Sequence, residues 1–158
     1  MDIVLVYPDI PFNTGNVART CVATESTLHL IEPLGFSIED RWLKRAGLDY
    51  WKDAKVVTHK NMDTFLSSDV GQKKLFLYSR FAEKLYWEAN YTQDAVLVFG
   101  SETKGLPDEI KERFKDQLYR IPTPGPVRSL NLSTSVGIVL FEAIRQCSGP
   151  ALQKNLSR

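Results

Sequence analysis

The chain has little of what several protein classes require. It carries two cysteines, Cys21 and Cys147, in 158 residues, too few for a disulfide framework. Both lie in apolar segments and read as buried free thiols. Only two histidines, His29 and His59, are present. Neither has a ligand-spaced neighbour, so surface or core packing is the expected role and no metal site is expected. No apolar run reaches the roughly 18–20 residues of a membrane span, and the N-terminal residues lack the charged region and cleavage site of a signal peptide. A cytoplasmic location is expected, and the N-x-[ST] matches at Asn90, Asn131 and Asn155 carry no glycan expectation there. Charge of one sign is missing too. Twenty Lys+Arg face 19 Asp+Glu, a net +1, which gives no global basis for nucleic-acid binding, so any such contact needs a local patch. At 43% hydrophobic and 25% charged residues the composition is that of a globular domain, not a disordered chain.

Familiar catalytic signatures are also absent. Gly100-Ser-Glu-Thr-Lys-Gly105 has P-loop glycine spacing, but Leu106-Pro107 stand where the motif needs Lys and Ser/Thr. No G-x-G-x-x-G follows a strand pattern, which weakens a dinucleotide reading. Ser133 and Ser135 have no G-x-S-x-G elbow, and Cys21 has no evident base partner.

What is present is an alternation of strand and helix patterns. Strands are expected at Asp2–Tyr7, Thr27–Ile31, Lys55–Thr58, Lys74–Tyr78, Ala95–Phe99 and Gln117–Ile121. Helices are expected from Asn13 to about Glu25, from Ser37 to about Ala46, at Asn61–Leu66, after Leu106-Pro107 to about Phe114, and from Asn131 to about Cys147. The last has an apolar stripe of Leu132, Val136, Val139, Leu140, Ala143 and Ile144. This order predicts one α/β domain over residues 1–150, with a mainly parallel sheet flanked by helices, and a frayed tail at 151–158.

Ligands of such sheets sit beyond the carboxyl ends of the strands. Three glycine-containing polar loops fall there: Asn13–Arg19, Gly100–Pro107 and Pro122–Asn131. Each also has a purely structural reading. Glu102 suits a solvated tight turn, and either Ser129 or Asn131 suits a helix N-cap. A helix N-terminus equally attracts a carboxylate or phosphate. The missing basic patch lies between Arg41 and Lys60. There Arg41, Lys44, Arg45, Lys52, Lys55 and Lys60 face only Asp49 and Asp53, with Trp42, Tyr50 and Trp51 interleaved. That mixture suits phosphate contact with base stacking, or an amphipathic helix with a solvated face and a buried Trp.

Taken together, Asn13-Thr-Gly-Asn-Val-Ala-Arg19, Phe99-Gly-Ser-Glu-Thr-Lys-Gly-Leu-Pro107 and Ile121-Pro…Val127-Arg-Ser-Leu-Asn-Leu-Ser133 resemble the three signature motifs of the SPOUT class of RNA methyltransferases. Leu30-Ile-Glu-Pro-Leu-Gly-Phe36 and Lys44-Arg-Ala-Gly-Leu-Asp-Tyr50 narrow the resemblance to the single-domain branch that 2′-O-methylates the wobble nucleotide of leucine tRNAs, a cytidine or 5-carboxymethylaminomethyluridine. The resemblance runs from about Ile3 to Gln146.

It implies an α/β-knot with a C-terminal trefoil knot, S-adenosylmethionine as methyl donor with no metal, and a homodimer whose active site is shared between subunits and whose surface holds the tRNA. It places Tyr78, Gly100, Ile121, Ser129 and Leu130 in the donor pocket, with glycine at 100 letting a ligand approach the main chain. It assigns Arg19, Glu102, Ser129 and Asn131 to catalysis and brings Asn13 and Arg19 to the RNA, to which the basic-aromatic stretch adds Arg41, Lys44 and Arg45 as expected contacts. Ser101 stands where some relatives have proline, and Pro126-Val127 vary the loop before Arg128.

An activated methyl needs no covalent intermediate; the protein must align the ribose oxygen and help remove its proton. Arg19 is the family's candidate for that proton, although a guanidinium, with a pKa above about 12, is a poor base; holding the adjacent phosphate is the alternative. The competing readings are a non-catalytic RNA-binding module using residues 41–60 and a nucleotide hydrolase using Gly100–Gly105.

Overall fold

The computed structural model describes residues 1–38 and 48–148. Seven strands form one sheet: β1 (Asp2–Val6), β2 (Thr27–Ile31), β3 (Lys55–His59), β4 (Leu75–Tyr78), β5 (Lys84–Leu85), β6 (Val96–Phe99) and β7 (Leu118–Arg120). Their order is β3-β2-β1-β6-β4-β7-β5, and every pairing among the described strands is parallel. The six expected strands are present within a residue or two. The seventh, β5, is two residues long and pairs with β7, too short to give a periodic signal.

Parallel strands are buried on both faces, so their sequences are continuously apolar. Along β1, alternate side chains serve opposite layers. Ile3 and Leu5 join Val17, Leu28, Leu97 and Val136 on one face, whereas Val4 and Val6 join Phe65, Leu77, Val98 and Ile110 on the other. The first layer is covered by α1 (Pro11–Ala23) and the last helix, α4 (Leu132–Ser148). The second is covered by α2 (Met62–Leu66) and α3 (Asp108–Arg113).

The ends of these helices follow local chemistry. α1 begins at Pro11, two residues before its expected start, because proline at the first helical position loses no hydrogen bond. Asn61 caps α2 by accepting from the Thr64 N–H at 2.8 Å. In α4 the expected stripe is buried except for Ile144, which is half-buried against the same core. The helix expected from Ser37 to Ala46 lies mostly outside the described residues, as does the tail expected at 151–158. Cys21 is buried, and burial pushes its thiol up to about 12. Cys147 departs from the expectation of burial and is only half-buried, near the end of α4. No described helix is long and apolar enough to cross a membrane.

Candidate functional site

The strand order reverses direction beside β1: β2 and β3 lie on one side, β6, β4 and β7 on the other. Loops leaving the carboxyl ends of strands diverge at such a point and leave a crevice. Here the crevice is a cavity of about 600 Å³. Its walls come from the segments after β4 (Tyr78–Phe81), β6 (Phe99–Leu106) and β7 (Ile121–Leu132), with Ile10 and Asn13 from the start of α1.

A hydrogen-bonded network ties three of these segments together. Asn131 Nδ2 donates to Asn13 Oδ1 at 2.9 Å, and Asn13 Nδ2 donates to Glu102 Oε1 at 2.9 Å. The other carboxylate oxygen, Oε2, accepts from the Asp9 backbone N–H at 2.7 Å. Asn131 Oδ1 meanwhile caps α4, accepting from the Ser133 N–H at 2.9 Å, its hydroxyl at 2.7 Å and the Thr134 N–H at 3.3 Å. Asn131 therefore caps the helix and also reaches across to the start of α1. An amide has one acceptor end and one donor end, so capping by Oδ1 aims Nδ2 at Asn13. Glu102 is not a solvated turn residue: both its oxygens bind the β1–α1 segment.

The loop after β6 closes on itself. Ser101 N–H donates to Gly105 O at 3.2 Å and Gly105 N–H to Ser101 O at 2.9 Å, with Gly105 at φ +71°. A Cβ on Gly100 would sit 2.0 Å from Gly105 C and 2.1 Å from Leu106 N. Glycine at 100 is therefore required by the chain's own backbone, a reason separate from any approach of a ligand. The buried Ser101 supports the same turn, its Oγ accepting from the Lys104 N–H at 3.1 Å. Tyr78 is buried, stacks on Phe99 with centroids 4.7 Å apart and donates its hydroxyl to Tyr91 at 3.0 Å. Burial first, and then the Tyr91 hydroxyl, raise its pKa well above the usual phenol value, so its ring packs while its strand end faces the cavity.

Residues 1–141 match the SpoU rRNA Methylase family. The chain belongs to the SpoU methylase family. A Burkholderia cenocepacia relative named tRNA (cytidine(34)-2'-O)-methyltransferase is 44% identical over 147 residues, covering 92% of this chain and 94% of that one. A Lactococcus lactis protein that carries the same name provisionally is 47% identical over 148 residues, covering 91% and 88%. Among solved structures, one described as structural insights into the 2-OH methylation of C/U34 on tRNA superposes with a TM-score of 0.88 at 45% identity, covering 92% of this chain and 94% of that one. An AdoMet-bound rRNA methyltransferase from Sinorhizobium meliloti superposes at 0.82 with 26% identity, covering 91% of this chain and 55% of that one.

Within this SpoU methylase domain, Asn13, Tyr78, Gly100, Glu102, Ile121, Ser129, Leu130 and Asn131 all line the one cavity. Arg19 does not. It is exposed on α1, with its guanidinium carbon 5.3 Å from the Tyr50 ring centroid. Six residues separate it from Asn13, about 9 Å along the axis and some 240° around it, so the two point to different faces. Arg41, Lys44 and Arg45 lie outside the described residues, while Lys52, Lys55 and Lys60 are exposed. Trp51 is half-buried against the core.

Sequence reasoning missed Asp9, whose N–H holds Glu102, and the cations of the cavity wall: Arg80, Lys104, Lys111 and Arg120. With Arg128 they oppose a single acid, Glu102. The cations are scattered over the loops after β4, β6 and β7, the end of β7 and α3, so no local charge run announced them. The histidines form a separate buried line described below; among the described residues no three His, Cys, Asp or Glu side chains are grouped as metal ligands.

Proposed function

We propose that this SpoU methylase transfers a methyl group from S-adenosylmethionine to the ribose 2′-hydroxyl of the wobble nucleotide, cytidine 34 or a modified uridine 34, of a leucine tRNA. The observation that carries the proposal is the closed network Asn131–Asn13–Glu102–Asp9 beside a cavity at the sheet's reversal point. The relatives named for cytidine 34 methylation support the nucleotide, and the AdoMet-bound relative supports the donor.

The residues present fit that donor. About 600 Å³ lies within the range that holds a small organic ligand. Tyr78, Gly100, Ile121, Ser129 and Leu130 would hold it, the turn that Gly100 permits giving the cavity its floor. The donor supplies an activated methyl on a sulfonium, so the chain needs neither a nucleophile nor a metal. Asn13, Glu102 and Asn131 fix the loops and hence the approach of the ribose. Glu102, held through both oxygens, acts as a brace.

Arg19 orients the phosphate beside the target hydroxyl and eases loss of its proton by its charge. Since it faces away from the cavity of its own chain, a homodimer in which each copy lends Arg19 to the other supplies the missing group. The exposed apolar side chains Ile10, Phe12 and Phe141, at the start of α1 and on α4, offer a surface for that pairing. The C-terminal segment is inferred to thread a trefoil knot, the domain to span 1–150 with a loose 151–158 tail, and the enzyme to work in the cytoplasm.

The test is incubation with leucine tRNA and labelled donor, followed by nucleoside mass spectrometry. 2′-O-methylcytidine or 2′-O-methylated uridine in the anticodon fragment is expected. A methyl on a base atom, or RNA binding with no transfer, returns the chain to another methylase reaction or to the binding-module reading.

A further inference from the structure

The turn after β4 holds an aromatic ring where a core has no use for it. Ser79 N–H donates to Tyr119 O at 2.9 Å, Ala82 N–H to Ser79 O at 3.1 Å and Phe81 N–H to Ser79 Oγ at 3.3 Å. The turn is thus fixed at both ends, with Ala82 buried. At its tip Phe81 is 70% exposed, the most exposed of the large hydrophobic residues described, yet it lines the cavity. The Arg80 guanidinium carbon lies 4.5 Å and the Lys111 ammonium 5.4 Å from its ring centroid. Lys111 is paired with Asp108 at 2.6 Å, whereas Arg80 is in no ion pair among the described residues.

We infer that Phe81 and Arg80 form a stacking platform on the cavity rim for an unpaired nucleobase of the RNA substrate, next to the nucleotide being methylated. The inference rests on the proposed function for its substrate class. An exposed ring gives a base an apolar face without the cost of unpacking a core, and stacking on such rings is tolerant of sequence. The free guanidinium beside it suits the phosphate that joins the stacked nucleotide to its neighbour. The wall around it is cationic, and its one acid is spent on internal hydrogen bonds, so a polyanion is favoured over a neutral occupant.

The experiment measures KM for leucine tRNA, equilibrium binding of a fluorescent anticodon stem-loop, and donor affinity, for the wild-type chain, Phe81→Ala, Phe81→Trp and Arg80→Ala. Phe81→Ala is expected to weaken RNA binding and raise KM for tRNA roughly 5- to 150-fold, the range of one stacking contact, with donor affinity unchanged. Phe81→Trp is expected to restore RNA affinity. Arg80→Ala is expected to lower the salt slope of stem-loop binding by about 0.7. Wild-type methylation with unaltered RNA affinity in Phe81→Ala overturns the platform and leaves the function standing. Weakened donor binding with unaltered RNA affinity moves Phe81 into the donor site and also overturns it. A wild-type chain that binds no RNA overturns both readings.

Discussion

Two polar networks run through this sheet, and they are built from different chemistry. At the carboxyl ends, Asn131, Asn13, Glu102 and the Asp9 N–H link three loops beside the cavity. On the α2–α3 side, Lys73 Nζ lies 3.1 Å from Asp2 Oδ2, Asp2 Oδ1 lies 3.4 Å from His29 Nε2, and His29 Nδ1 lies 2.9 Å from His59 Nε2. Phe65 closes over both imidazoles, 6.1 and 5.2 Å away by centroid. The first network is made of amides and one carboxylate braced by N–H donors. The second depends on imidazole protonation. One ties together the loops beside the cavity; the other fastens β1, β2 and β3 and makes their stability depend on pH.

The comparison is tested most severely at the group that the cavity lacks. Arg19→Ala is expected to lower methyl transfer by three orders of magnitude or more while donor binding persists, on the order of losing a transition-state contact and its charge. Glu102→Ala is expected to lower it about 100-fold by releasing Asn13 and Asp9. Each variant alone leaves every site of a dimer defective. Mixed after denaturation and refolding, the two are expected to recover roughly a quarter of wild-type activity, because a mixed pair has one site with both groups intact. No recovery would mean that Arg19 serves its own chain's cavity.

A smaller effect concerns the loop that supports the site. Gly100→Ala places a methyl against the Gly105–Leu106 backbone, and overpacking of this kind costs about 1–3 kcal/mol. Urea unfolding is expected to show that loss, along with weaker donor binding. Full stability with weakened donor binding would instead favour the expectation that glycine serves the ligand directly.

The second network is addressed by pH. Burial first, and the neighbouring His29 second, hold the His59 pKa below the ordinary imidazole value of 6.5. Below about pH 6.5 the unfolded chain therefore binds the proton more readily than the folded one. Stability is full above that pH and falls as pH drops towards the folded pKa, with a slope of at most about 1.4 kcal/mol per pH unit for one proton. Asp2 acts lower: burial raises its pKa, but hydrogen bonds from His29 and Lys73 outweigh that and hold it below 3.8. Its contribution is present above pH 3.8 and is lost as pH falls through the lower folded value. Urea midpoints at pH 7.5, 6.5 and 5.5 are expected to decline for the wild type and to stay level from 6.5 to 5.5 for His59→Gln, with no matching change in Glu102→Ala.

Much of this difference was legible in the sequence, and what was not has a physical reason. Apolar runs such as Ile3–Val6 and Val96–Phe99 marked buried parallel strands, and the motif loops placed Asn13, Gly100, Glu102 and Asn131 at one end of the sheet. Periodicity does not report which residues meet across the sheet. His29 and His59 are 30 residues apart, and only the pairing of β2 with β3 brings them together. The cations of the cavity wall were hidden for the same reason, and Arg19 fell in a motif yet on the wrong face of α1 for its own cavity. Motifs gave the type of chemistry, while the face of α1 that each motif residue occupies emerged only from helix geometry.

The smallest predicted effect separates a buried polar atom with a purpose from one without. Thr14 follows Asn13 on α1 and is wholly buried, yet its Oγ1 has no hydrogen-bond partner among the described residues. Unlike Asn13, it belongs to neither network, so its hydroxyl bears a desolvation cost with nothing to offset it. Thr14→Val replaces that hydroxyl with a methyl, and both residues are β-branched, so the helix loses little. A gain of about 1 kcal/mol, or a rise in Tm of about 2–4 °C, is expected, with methylation within about twofold of wild type. A loss of stability would show that the hydroxyl is satisfied in solution, and that the line between α1's core face and its site face falls further along the helix than Asn13.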